Sequence, residues 1–155
     1  MIKQPTSRMC FVCGRENDFG LKMAWYNNPE SNQVEANVTI GEQFNGYPGI
    51  VHGGIVAAIL DETAGRVVML DGNFDNLFVT LRLNLTYRKP TPTNTPLKAV
   101  GWLEHKGHRG MKVAAKLLLP DDTVTTECNA VVIKPTGEIS RSWEHERKFW
   151  RVEED

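Results

Sequence analysis

Hydrophobic and polar residues alternate along several segments of the chain, and this alternation predicts β-strands. From Val34 to Ile40 every second residue is apolar, which is typical of a strand buried on one side. The alternation recurs at 78–87 and 112–119, and two more strands are predicted at 97–105 and 124–134.

Two shorter features precede the strand Val34–Ile40. A short apolar segment at 23–26 precedes a turn at 27–32, which is expected to join two antiparallel strands. Together the segments predict an antiparallel sheet of five or six strands. Within the strand 78–87, the residues predicted to share one face are Val79, Leu81, Leu83, Leu85 and Tyr87.

The segment 53–70 has a different pattern, because its apolar residues are nearly continuous from Ile55 to Leu60 and resume at Val67. This predicts one long helix that is buried on most sides, with Gly72 as its C-terminal cap. A strongly twisted antiparallel sheet can wrap such a helix. We therefore expect an α+β fold with one long central helix.

The length of 155 residues suits one domain, 1–155, with an N-terminal cap at 1–24 and a charged C-terminal tail at 138–155. In the tail, Trp143 and Trp150 are seven residues apart, so a helix would place them on one face. A terminal helix packed on the body is the favoured interpretation, and a partner-binding tail is the alternative.

The charge and the apolar runs of the chain exclude several function classes. The formal net charge of −1 provides no basic field for nucleic acid. The longest apolar run, Ile55–Leu60, is far shorter than the roughly 20 residues of a membrane span. No targeting segment is recognised near the N-terminus, so a cytoplasmic protein without nucleic-acid or membrane partners is expected.

The chain has three cysteines, Cys10, Cys13 and Cys128, and this odd count argues against a disulfide framework. Cys10 and Cys13 form a CxxC, which is half of a usual zinc site. The other candidate donors, which lack motif spacing, are Cys128, His105, His108 and His145. No metal site is therefore predicted, and no thioredoxin-like βαβ pattern supports a redox pair.

The segment 45–62 is the best candidate for chemistry. A glycine-rich turn leads into the N-terminus of the predicted helix, where free backbone N–H groups favour negative charge. Further along, Asp61 and Glu62 interrupt an apolar helix. A carboxylate in such a place is costly unless it is solvated in a cleft, paired with a cation or used in catalysis.

The spacing of Gly53 and Asp61 limits how the two residues can act together. Eight residues of helix separate them by about 12 Å. A general base and an oxyanion donor must both lie about 3 Å from the groups that they serve. If both act on one carbonyl, they come from different subunits of a two-fold dimer with two identical sites at its interface.

The motif Gly-Tyr-Pro-Gly-Ile-Val-His-Gly-Gly at 46–54, followed by Asp61, resembles the phenylacetyl-CoA-type branch of hotdog-fold acyl-CoA thioesterases. Further similarity lies in the strand 80–87, in the Gly-His-Arg turn at 107–109 and in the Cys-Phe-Val-Cys-Gly opening at 10–14. The resemblance covers about residues 10 to 134.

The resemblance implies a hotdog fold and a homodimer, or a dimer of dimers, that hydrolyses an acyl-CoA thioester to a carboxylic acid and CoA without a cofactor. Asp61 matches the general base or nucleophile, and the Gly53 backbone N–H matches the oxyanion donor. Thr80 matches a hydroxyl that holds water, and His52 matches the motif histidine that shapes the loop.

Four further residues are expected to contact the substrate: Asn45, Gly54, Glu62 and Arg109. The resemblance places an Asn or Gln of some relatives at the position of Gly46, so Asn45 is the neighbouring candidate for that role. Glu62 is also expected to pair with Arg66 four residues later. Arg109 is preferred over Lys106, Arg88 and Lys89 as a partner for CoA phosphates.

Two other functions are compatible with the same sequence. A non-catalytic acyl-CoA-binding or regulatory hotdog domain would bind its ligand without turnover. An enoyl-CoA hydratase or dehydratase would need an acid–base histidine and a carboxylate that reach the acyl Cα and Cβ. Acyl-chain specificity is not encoded in the motif.

Overall fold

A computed structural model describes residues 1–154, and two helices and seven strands form the regular structure of that part. The helices are α1, Gly53–Arg66, and α2, Gly137–Glu146. The strands are β1 Ile2–Lys3, β2 Tyr26–Asn28, β3 Gln33–Thr39, β4 Val79–Tyr87, β5 Pro96–Lys106, β6 Gly110–Leu118 and β7 Val124–Ile133.

The strands form one antiparallel sheet in the order β1-β2-β3-β5-β6-β7-β4. β4 follows α1 in the chain and lies at one end of the sheet, paired with β7 alone among the described strands. The helix α1 contacts five strands of this sheet, so the expected central helix on a wrapped sheet is observed.

Helix α1 is shorter and less enclosed than the sequence predicts. The α-helix ends at Arg66, and a 3-10 turn, Val67–Met69, continues the buried apolar run. Its buried face is formed by Val56, Ile59, Leu60, Thr63, Ala64 and Arg66. Gly53, Gly54 and the half-buried Asp61 lie away from that face, which leaves one side of the helix open to a ligand or a partner.

The prediction of five or six strands misses one, because β1 and β2 have two and three residues and depend on pairing with each other and with β3. The apolar segment 23–26 overlaps β2 only at Tyr26, and Met23 and Trp25, which precede the strand, are buried.

A bulge in β4 corrects the predicted alternation of that strand. Thr80 pairs with Val132 and Arg82 pairs with Val131, so Leu81 is an extra residue without a partner. Leu81 is 63% exposed and Tyr87 is 52% exposed, whereas Val79, Leu83 and Leu85, predicted to share their face, are partly buried. The bulge accounts for the exposure of Leu81, and Tyr87 lies at the end of the strand, where its hydroxyl reaches the Gly53 carbonyl.

The C-terminal tail packs on the body, as the favoured interpretation expects. The rings of Trp143 and Trp150 meet edge to face, with centroids 5.5 Å apart. Trp150 donates from its indole nitrogen to the Phe74 carbonyl at 2.8 Å, and Arg8 pairs with Glu146 at 2.7 Å. Within residues 1–154, neither helix has the length and apolarity required to cross a bilayer.

Candidate active site

The loop before α1 is held in place by backbone pairing, and His52 completes it as the helix cap. The His52 N–H donates to the Phe44 carbonyl at 2.9 Å, and its Nδ1 accepts from the Gly54 N–H at 2.9 Å. A histidine that accepts at Nδ1 carries its neutral-state proton on Nε2. His52 therefore caps α1 and engages the N–H of Gly54.

The N–H of Gly53 stands at the first position of α1, where a helix provides no internal acceptor. Within residues 1–154 this N–H donates no hydrogen bond, in contrast to that of Gly54. The Gly53 carbonyl accepts from the Tyr87 hydroxyl at 2.7 Å, which fixes the peptide beside it. The exposed Gly53 N–H is thus a free, oriented donor at the positive end of the helix.

Asp61 lies in the third turn of α1 and accepts a 2.7 Å hydrogen bond at Oδ1 from the Thr80 hydroxyl. The two residues line a cleft of about 330 Å³ together with Phe78, Val79 and Trp150. A carboxylate with one oxygen held by a hydroxyl keeps its second oxygen for a water molecule or a carbonyl carbon. The pair that the sequence resemblance named is therefore brought into contact.

The free N–H and the carboxylate open into different clefts of the same chain. Gly53 lines a second cleft of about 390 Å³ with Tyr47, Tyr87, Arg88 and Lys89. Asp61 does not line this cleft, and Gly53 does not line the cleft of Asp61. Within one chain, the Gly53 N–H and the Asp61 carboxylate therefore do not line a common cleft.

Glu42 is a residue that sequence reasoning missed. Its Oε1 accepts from Asn45 Nδ2 and the Gly49 N–H, each at 2.8 Å, and its Oε2 accepts from the Thr93 hydroxyl at 2.6 Å. These hydrogen bonds, that from Thr93 foremost, hold the pKa of Glu42 below its usual value. The Asn45 side chain thus braces the loop rather than pointing freely to a substrate.

Glu62 pairs with Arg66 at 2.9 Å, as the spacing predicts, and it also lies beside the two N-terminal thiols. Donor atoms of Cys10, Cys13 and Glu62 lie within 4.8 Å of one another, which makes this the group within residues 1–154 that could hold a metal ion. The hydrogen bond from the Cys13 thiol lowers the pKa of Cys10 to about 6 and raises the pKa of Cys13.

Arg109 lies in the turn between β5 and β6, exposed, and lines a small cleft of about 180 Å³ with Lys106 and Lys134. Asn76 and Phe78 belong both to this cleft and to the cleft of Asp61. A surface with three cationic side chains therefore adjoins the Asp61 cleft. Lys134 is the member of this surface that the sequence did not single out.

Comparison with known proteins adds independent support for the family. The profile of the thioesterase superfamily matches residues 48–126, which include the glycine turn, α1, β4 and β5. Acyl-coenzyme A thioesterase THEM4 of the rat, Rattus norvegicus, is 28% identical over 133 residues, covering 85% of this chain and 56% of the rat protein. The chain thus spans little more than half of that relative.

Solved structures share the fold. The thioesterase superfamily protein RHA08564 superposes with a TM-score of 0.74 at 26% identity, covering 81% of this chain and 63% of that one. The protein smu.793 of Streptococcus mutans UA159, solved with bound acetyl CoA, gives a TM-score of 0.60 at 19% identity over 66% of this chain and 80% of its own. With a profile that matches half of its length and a helix wrapped by an antiparallel sheet, the chain belongs to the thioesterase superfamily.

Proposed function

We propose that this protein is an acyl-CoA thioesterase that hydrolyses an acyl-CoA to a carboxylic acid and CoA. The observation that carries the proposal is the contact of Asp61 with Thr80 in a cleft within the family-matched region. A thioester provides its own leaving group, so the reaction requires only an activated water, or a carboxylate nucleophile, and a donor for the oxyanion.

The groups of the site have different roles in this reaction. Asp61 takes a proton from water or attacks the thioester carbon itself, while Thr80 holds the carboxylate and the water in line. The carbonyl oxygen of the thioester becomes negative as its carbon turns tetrahedral. It then accepts a hydrogen bond from the free N–H of Gly53. His52 caps α1 and is committed to Gly54, which does not favour the acid–base histidine of a hydratase.

The site is completed by a second copy of the chain across a two-fold axis. β4 is an edge strand of nine residues, and it carries two exposed large side chains, Leu81 and Tyr87. An open edge of this length is a template for pairing with another strand. We take the partner to be β4 of the second copy, which gives a homodimer, or a dimer of dimers.

The contacts at the two ends of β4 explain how this dimer joins the groups. Thr80, at the start of β4, holds Asp61, and Tyr87, at its end, holds Gly53. When two β4 strands pair antiparallel about their middle, the Thr80 end of one copy lies opposite the Tyr87 end of the other. Asp61 of one copy then approaches Gly53 of its partner.

The CoA moiety is assigned to the cationic surface formed by Lys106, Arg109 and Lys134. Phosphate groups bind clustered Lys and Arg side chains through charge-assisted hydrogen bonds. This surface adjoins the Asp61 cleft, so the thioester can reach Asp61 while the phosphates remain outside. The relative named as an acyl-coenzyme A thioesterase and the neighbour with bound acetyl CoA support this ligand.

Thiol release from a panel of aryl and straight-chain acyl-CoAs, followed with Ellman's reagent, tests the activity. We expect turnover on at least one member, with a typical value on the order of 1–10³ per second. Binding of acyl-CoAs without any thiol release would instead identify a non-catalytic binding domain. Hydration of a 2-enoyl-CoA without thiol release would identify a hydratase.

A further inference from the structure

The N-terminal CxxC and helix α1 bring three metal-binding side chains together from distant parts of the sequence. Cys10 and Cys13 come from the N-terminal segment, and Glu62 comes from α1. Their donor atoms all lie within 4.8 Å of one another, and Cys13 is buried while the other two are partly buried. The sequence could not indicate Glu62 as the third donor, because about fifty residues separate it from the thiols.

The turn that carries the thiols has the form of a thiolate-binding loop. The N–H groups of Val12 and Cys13 both point to Cys10 Sγ, at 3.3 and 3.4 Å. The Gly14 N–H closes the turn on the Cys10 carbonyl at 2.8 Å. A Cβ at position 14 would lie 2.3 Å from that carbonyl oxygen, so this tight turn requires glycine.

The surroundings of Glu62 have the arrangement expected around a metal ligand. Arg66 Nε donates to Glu62 Oε1 at 2.9 Å, which orients the carboxylate. Carboxylate ligands of metals are commonly held by such outer hydrogen bonds. A divalent ion together with the buried Arg66 guanidinium would balance two thiolates and one carboxylate.

We propose that Cys10, Cys13 and Glu62 bind a zinc ion that fastens the N-terminal segment to helix α1, one residue beyond Asp61. Two sulfurs and one oxygen suit zinc, which takes four tetrahedral ligands, so water fills the fourth position. Tetrahedral zinc separates such donors by roughly 3.5–3.8 Å, so donor atoms that lie within 4.8 Å of one another need to close by about 1 Å at most.

Cobalt titration of the reduced, chelator-treated full chain tests the site independently of thioesterase activity. Tetrahedral Co²⁺ with thiolate ligands gives charge-transfer and intense visible bands. We expect one Co²⁺ per chain with these bands, and displacement of the bands by zinc. A spectrum of hydrated Co²⁺ alone would overturn the proposal, as would a Cys10–Cys13 disulfide that forms equally in the presence of zinc.

Variants assign the ligands. We expect Cys10→Ser and Cys13→Ser to lose the charge-transfer bands, and Glu62→Gln to weaken Co²⁺ affinity by at least about tenfold. Cys128→Ser is the matched control, because Cys128 is a buried thiol on β7 outside the cluster, and it should keep wild-type affinity. Unchanged affinity in Glu62→Gln would contradict the three-ligand site.

Zinc-dependent stability provides a second measurement if a serine variant folds poorly. Zinc should raise the Tm of the wild type and of Cys128→Ser, because a ligand that binds only the folded state stabilises it. Glu62→Gln, in which both thiols remain, should show a smaller rise at the same zinc concentration. An equal rise in Glu62→Gln would show that zinc is not held by that carboxylate.

Discussion

Replacement of Asp61 by Asn is expected to lower kcat for thioester hydrolysis by about 10²-fold or more. The amide has nearly the same shape, and its oxygen can still accept the 2.7 Å hydrogen bond from Thr80. It cannot take a proton from water or form an acyl intermediate as a carboxylate does. KM should change little, because the cleft and its cationic neighbours are retained. Steady-state kinetics with the best acyl-CoA of the panel measures both constants.

Asp122→Asn is the matched control for this change. Asp122 is an exposed residue of the β6–β7 turn with φ +64°, a conformation that Asn adopts readily. It should retain wild-type kcat and KM. A wild-type rate in folded Asp61→Asn would remove Asp61 from the chemistry and leave the cleft without an assigned base.

Replacement of Gly53 by Pro is expected to lower kcat by about 10²- to 10³-fold, because it removes the free N–H assigned to the oxyanion. Proline is well tolerated at the first position of a helix, where its missing N–H has no internal partner. The preceding residue His52 has φ −55° and ψ 133°, which suits a residue before proline. The helix should therefore form normally, and circular dichroism with Tm verifies this.

Gly53→Ala separates the effect of the N–H from the effect of added bulk. A Cβ at position 53 would lie 3.6 Å from the Tyr87 ring, an ordinary van der Waals distance. The alanine variant keeps the N–H and should lose much less activity than the proline variant. Equal losses in both variants would indicate a steric effect and would contradict the role of this N–H.

Much of the fold could be predicted because its pattern is local. Alternation located β3, β4 and β6 to within a few residues, β5 and β7 were predicted with similar bounds, and the continuous apolar run located α1. The pairing of β1 with β2 was missed because two or three residues carry no periodicity of their own. The bulge at Leu81 was missed because it depends on the register with β7, which the sequence of β4 does not specify.

The candidate site was predictable where residues follow a motif or a helical spacing. The resemblance to the family pointed to Asp61 and Thr80, which are in contact. The i,i+4 spacing predicted the Glu62–Arg66 pair. The Tyr87 hydroxyl on the Gly53 carbonyl was not foreseen, because only tertiary packing joins positions 34 residues apart. The brace of Glu42 on Asn45, Gly49 and Thr93 was missed for the same reason.

The site composed of two subunits is tested most directly by mixed dimers of Asp61→Asn and Gly53→Pro chains, isolated through two different tags. If Asp61 of one copy acts with Gly53 of the other, one of the two sites in a mixed dimer has both groups intact. We predict that the mixed dimer regains about half of the wild-type activity, although each parent homodimer is reduced by about 10²-fold. Activity of the mixed dimer as low as that of the parents would contradict the shared site and place both groups within one chain.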